Sequence, residues 1–192
     1  MTNLHGTTSG VRALPLAASR PIRMAIGVVV FAIATALSAK VQVVLPGTPI
    51  PFTFQPLLVL LSGALLGARL GAASQVLYLA AGAIGIPAFA FGGGAAYLLG
   101  PTGGYLLAYP LAALTVGALM GPGYLRALGA MLAGLAIIYA GGIAWLGAVF
   151  GPESVIAMGL TPFVVADLVK VLVGVVVVNR LRPASLSLFG AK

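Results

Sequence analysis

Long apolar runs alternate with short clusters of proline and glycine along this chain, and polar residues are scarce between them. At ~20 residues per membrane-crossing helix, the runs at 22–40, 54–67, 69–86, 103–121, 124–147 and 162–180 predict six spans. The second is short for a full crossing and passes through "LLGARLG" almost directly into the third. "LPGTPIP", "FGGGAAYLLGPTGG" and "GPG" break the pattern elsewhere. The sixth has a start signal of its own, with Thr161 placed to N-cap and Pro162 at the first helical position. The expected organisation is all-α and polytopic: a polar tail at 1–21, a six-helix membrane domain at 22–182 and a C-terminal tail at 183–192.

Composition supports a membrane solvent. Hydrophobic residues make up 61% of the chain and charged residues 6%, whereas a soluble domain carries about a quarter charged residues to face water. The net charge of +8 is spread between apolar runs. It does not gather into the basic face that nucleic-acid binding requires, so no nucleic-acid partner is expected. With the N-terminus in the cytoplasm, Arg12, Arg20, Arg23, Arg69, Arg126, Arg180, Arg182 and Lys192 all fall inside. Of the ten basic residues only Lys40, at the outer end of the first helix, and Lys170, within the sixth, do not. The positive-inside rule therefore predicts both termini in the cytoplasm and a multi-pass protein of the cytoplasmic membrane. Residues 1–39 also have the outline of a signal peptide, but removing them would leave five spans and reverse the fit of the loops. Cysteine is absent, and the single histidine, His5, lies in the polar tail with almost nothing beside it to share a metal.

Candidate chemistry is concentrated in "TPFVVADLVKVLVGVVVV" (161–178). An ionisable side chain in hydrocarbon costs ~2.5–3.5 kcal/mol on insertion scales, and this run holds two, Asp167 and Lys170. A spacing of three puts them on one helical face. They are either a self-neutralised structural pair or a polar patch facing a ligand cavity. At ~1.5 Å per residue they sit ~6–12 Å in from the outer end of their helix, within reach of a solute from outside. Gln55, at the head of the second span, has a carboxamide suited equally to a ligand or to a neighbouring helix. In the third–fourth connection Phe89, Phe91, Tyr97 and Tyr105 can wall a pocket or form an interfacial belt. The glycines there suit a mobile lid or a plain connector. Tyr78 brings a hydroxyl that needs a partner inside the bundle. No G-x-x-x-x-G-K-[ST] loop, catalytic triad or HExxH motif occurs, so neither nucleotide hydrolysis nor enzymatic activity is expected. Ala32 and Ala36 form a small-residue pair on the first helix.

Four separated stretches carry a resemblance: "SAKVQVVLPGTPIPFTFQPL" (38–57), "LLGARLGAASQVLYLAAGAIGIPAFA" (65–90), "LLGPTGGYLLAYPLAAL" (98–114) and "GLTPFVVADLVKVL" (159–172). In this order they resemble the BioY family, the biotin-specific substrate-binding S-components of energy-coupling factor (ECF) transporters. The resemblance implies capture of biotin from outside, with biotin as transported ligand and no cofactor. It also implies partnership with a transmembrane T-component and two cytosolic ATPase subunits. The family's acid–lysine pair carries over onto Asp167 and Lys170, with Gln55, Tyr78, Phe91 and Tyr105 as further substrate-binding candidates. S-components tend to use an Ala-x-x-x-Ala pair on the first helix to dock the T-component, which Ala32 and Ala36 match. Ala166 stands where family members often have glycine, and the third–fourth connection is less polar than is usual in the family. A stand-alone facilitator, an S-component for another vitamin and a membrane subunit without a ligand are the competing readings.

Overall fold

The computed structural model describes residues 19–152 and 155–189. His5, Arg12, Glu153 and Lys192 lie outside them. Seven α-helices follow in order: α1 (Arg20–Lys40), α2 (Gln55–Leu66), α3 (Ala68–Ala83), α4 (Gly103–Leu119), α5 (Tyr124–Phe150), α6 (Val155–Gly159) and α7 (Val164–Phe189). The protein is therefore mainly helical. Two short strands, β1 (Gln42–Val43) and β2 (Phe52–Thr53), pair antiparallel between α1 and α2, with Gln42 opposite Thr53.

Helix α2 is the axis of the bundle. It packs against α1, α3, α4, α5 and α7, and Val59 to Leu66 are buried without a break. A helix that is apolar all round sits inside a bundle, and nine of its 12 residues are buried. Backbones close in where side chains are missing. A Cβ on Gly63 would run into the Ala113 carbonyl of α4, and one on Gly71 of α3 would run into Gly63 itself. Small residues at such contacts let helices meet at backbone distance. Gly67, at φ 83°, joins α2 to α3 in a single residue, a conformation open to glycine at little cost.

Outer faces are apolar. Ile26, Val30, Ile33 and Leu37 of α1 and Val165, Val169, Leu172 and Val176 of α7 are exposed. Helices α1 and α5 are long and apolar enough to cross a membrane alone, while α2 and α4 are shorter apolar helices.

Several expectations change in detail. The proline-rich connection at 46–56 ends in strand pairing, so the all-α forecast misses one small hairpin. Thr161 does not cap the last long helix. Its hydroxyl and its N–H both meet the Ile156 carbonyl, at 3.1 and 3.0 Å, and close the unforecast α6 instead. At its other end α7 continues through Pro183 to Phe189, so most of the expected C-terminal tail is helical. The fully buried inward face of α1 carries Thr35 and Ala39, and Ala32 lies on it at 7% exposure. Ala36 packs half-buried against the same core. This side of α1 packs on its own bundle.

The two ends of the bundle differ. At one end Arg23 Nε reaches the Leu188 carbonyl (3.2 Å), and Arg182 Nη2 reaches that of Met120 (3.3 Å). Gly117, near the end of α4, lies against the Gly67–Ala68 backbone beside Arg69. All six arginines among the described residues thus share the end formed by the α1 N-terminus, the α2–α3 and α4–α5 turns and the α7 C-terminus. Asp167, Lys170 and Lys40 belong to the other half.

Candidate functional site

Asp167 and Lys170 lie one turn apart on the inward face of α7 and are 5% and 6% exposed. Lys170 Nζ donates to Asp167 Oδ1 at 2.6 Å and to the Thr53 carbonyl of β2 at 2.7 Å. It also stands 3.7 Å from the centre of the Phe52 ring, a cation–π distance. An ammonium group has three N–H donors, so two meet oxygens while the positive group faces a π cloud. The other carboxylate oxygen, Oδ2, accepts a hydrogen bond from the Tyr139 hydroxyl of α5 at 2.6 Å. The pair is thus satisfied from two other elements, β2 and α5, which is what burial of an ion pair requires.

A second polar line runs along the same wall. The Thr53 hydroxyl lies 3.4 Å from Gln55 Oε1, and Gln55 Nε2 donates to the Tyr78 hydroxyl at 2.6 Å. Tyr78 stacks on Tyr109 at 6.4 Å between ring centres and meets Phe89 edge-on at 5.6 Å. Tyr105 ties α4 to α6 by donating to the Gly159 carbonyl at 2.8 Å. Around these groups is a cavity that opens at one side. Asp167, Lys170, Gln55 and Tyr105 all line it, together with Tyr97, Tyr109, Tyr139 and Phe163.

Four of the six residues forecast for ligand contact therefore meet in one cavity. Tyr78 stands behind the wall, holding Gln55. Phe91 does not reach the cavity and is 58% exposed. The reason is local: Phe89 and Gly92 pair across a tight turn, with N–O distances of 2.8 and 3.3 Å, which leaves Ala90 on the cavity and Phe91 outside. The segment is also tied from α1, since Lys40 Nζ donates to the Phe89 carbonyl at 2.6 Å. Sequence reasoning missed Tyr139, although a hydroxyl in the apolar middle of "AIIYAGG" needs a partner. The Thr53 carbonyl, a backbone acceptor, left no signal at all.

A cavity of this chemistry can hold a ligand that has N–H donors for Asp167 and apolar bulk for the tyrosines. The model of the BioY family matches residues 8–186. The chain belongs to the BioY family. Among BioY relatives, a probable biotin transporter of Pyrococcus horikoshii is 40% identical over 156 residues, covering 81% of this chain and 93% of its own. The biotin transporter of Thermotoga maritima is 40% identical over 142 residues, covering 72% and 84%. A crystal structure of the S-component for biotin from an ECF-type ABC transporter superposes with a TM-score of 0.77 at 24% identity, over 85% of this chain and 93% of that one. The two share a fold. As a member of this transporter family, the BioY chain is a membrane protein.

Breaking one side of a buried ion pair leaves the other charge stranded, at a cost of about 3–5 kcal/mol. Asp167→Leu should therefore lower the unfolding free energy by roughly that amount. Asp167→Leu/Lys170→Leu should recover most of it, because two well-packed apolar residues often replace a pair at no loss. Thermal unfolding in detergent reads both. Equal stability of the single variant and the wild type would show that Lys170 does not depend on Asp167.

Proposed function

We propose that this chain captures biotin at the outer face of the cytoplasmic membrane and serves as the S-component of an ECF transporter. It would work with a transmembrane T-component and two cytosolic ATPase subunits. The observation that carries the reading is the Asp167 carboxylate, held on a cavity wall by Lys170 and Tyr139. Biotin has a cyclic urea with two N–H donors, an apolar ring and chain, and an ionised carboxylate. A carboxylate retains lone pairs beyond its two existing bonds and suits the urea donors. The tyrosine and phenylalanine walls suit the sulfur ring. Like charges repel, so biotin's own carboxylate belongs toward the mouth, away from Asp167. The family relationship and the names of the relatives support the same ligand. Uptake of this kind needs no reaction centre, and the energy for release belongs to the ATPase partners.

The proposed topology has six crossings, made by α1 to α5 and α7, with both termini in the cytoplasm. The segregation of the described arginines to one end supports it, and it turns the cavity outward.

Calorimetry on the isolated, detergent-purified chain tests the ligand. Saturable biotin binding without ATP or partner is expected, and Asp167→Asn should weaken it ~10–100-fold, the equivalent of a charged hydrogen bond of ~1.5–3 kcal/mol. No saturation between nanomolar and micromolar biotin would sink the proposal. For the topology, cysteines replacing the exposed Val44 and Leu99 should react with an impermeant reagent on intact cells, and ones replacing Arg69 and Leu125 should not. The reverse pattern would put the cavity on the wrong side.

A further inference from the structure

The arginine end carries an arrangement that biotin capture does not use. Arg126, in the first turn of α5, donates from Nε to the Leu119 carbonyl at 3.3 Å. Arg182 of α7 donates from Nη2 to the adjacent carbonyl of Met120, also at 3.3 Å. Two guanidinium groups from different helices thus converge on neighbouring carbonyls at the end of α4. Among the described residues no carboxylate stands near them, because Asp167 is engaged by Lys170 and Tyr139 in the other half of the bundle.

Among the described residues these cations have no acidic partner. Each guanidinium has five N–H donors, and a single carbonyl bond accounts for one of them. Arg182 Nε is buried with no partner. Both groups stay charged and repel each other. The same place is the N-terminus of α5, which has no acidic residue in its first turn and no side-chain cap, so the helix dipole adds further positive potential. Beside the two arginines lie exposed apolar side chains: Leu119 at 47%, Tyr124 at 56%, Leu125 at 85% and Leu181 at 51%.

We infer that Arg126 and Arg182 form a binding site for an anionic phospholipid, with the phosphodiester held by the two guanidiniums at the head of α5 and an acyl chain lying along Leu119 and Leu125. Arginine forks match phosphate oxygens in pairs. The apolar flank selects a lipid over free phosphate, which brings no hydrocarbon to cover it. The inference rests on the membrane reading of the chain and is independent of the identity of the captured solute.

Native mass spectrometry of the detergent-purified full chain tests it, with phosphatidylglycerol, phosphatidylcholine or inorganic phosphate as the probe. Phosphatidylglycerol should remain bound where phosphatidylcholine does not, and millimolar inorganic phosphate should not displace it. Arg126→Gln/Arg182→Gln should weaken retention by about tenfold or more, whereas Arg20→Gln/Arg69→Gln, which removes as much charge from the same end, should not. If the first variant folds poorly, Arg126→Lys/Arg182→Lys keeps the charge and removes the forks, and it should still weaken retention several-fold. Equal retention of both lipids, equal loss in both glutamine variants, or displacement by inorganic phosphate would overturn the site. Biotin calorimetry on the same samples separates the two readings. Lipid selectivity without biotin binding would refute the proposed ligand alone, and biotin binding without lipid selectivity would refute this site alone.

Discussion

Burying the Asp167–Lys170 pair is the constraint around which the cavity end of the molecule is organised. Two opposite charges removed from water gain from each other, but their desolvation can exceed that gain unless the remaining donors and acceptors are also met. The fold meets them from two elements. The hairpin before α2 supplies the Thr53 carbonyl and the Phe52 ring, and α5 supplies the Tyr139 hydroxyl. Displacing either element would leave a charged group short of a partner in an apolar setting. The pair therefore fixes the register between α7, α5 and the hairpin, and these are elements that wall the cavity.

Close helix packing makes that convergence geometrically possible. With α2 buried along most of its length and Gly63 and Gly71 at backbone contact, α2, α3 and α4 form a tight inner layer. Their cavity-side ends bring Gln55, Tyr78, Tyr105 and Tyr109 together. The outer helices α1 and α7 cover this layer while presenting valine, isoleucine and leucine outward. Charge follows the same polarity along the bundle, with the ion pair and Lys40 toward the cavity and the described arginines at the opposite end. Capture of a solute and attachment to the membrane or to partners can therefore occupy separate ends of one small bundle.

Much of this was legible in the sequence because lipid is a demanding solvent. Every helix over 12 residues long falls largely within one of the predominantly apolar runs, and an acid and a lysine inside such a run had to be explained. Gln55 and Tyr105 were legible for the same reason, as polar groups at the ends of apolar segments. The hairpin was not, since four residues of strand leave no period to detect and proline suggested only an extended connector. Short α6 escaped because Thr161 and Pro162 form a start signal, yet the hydroxyl turned back to Ile156. Phe89 and Phe91 lie in the same connection, and a two-residue offset in a tight turn decides which ring is buried and which is exposed. Ala32 and Ala36 show the limit of spacing motifs: small residues mark close approach without saying whether the neighbour is another chain or the same one.

The central claim is that the pair faces a ligand and is more than each residue's counter-ion. The most direct test is biotin affinity measured by calorimetry on Asp167→Leu/Lys170→Leu, in a sample whose thermal unfolding shows it to be well folded. A ligand-facing pair predicts binding at least about tenfold weaker than wild type, the loss of one or more charged hydrogen bonds. Wild-type affinity in that folded variant would contradict the account and leave the pair a purely structural one.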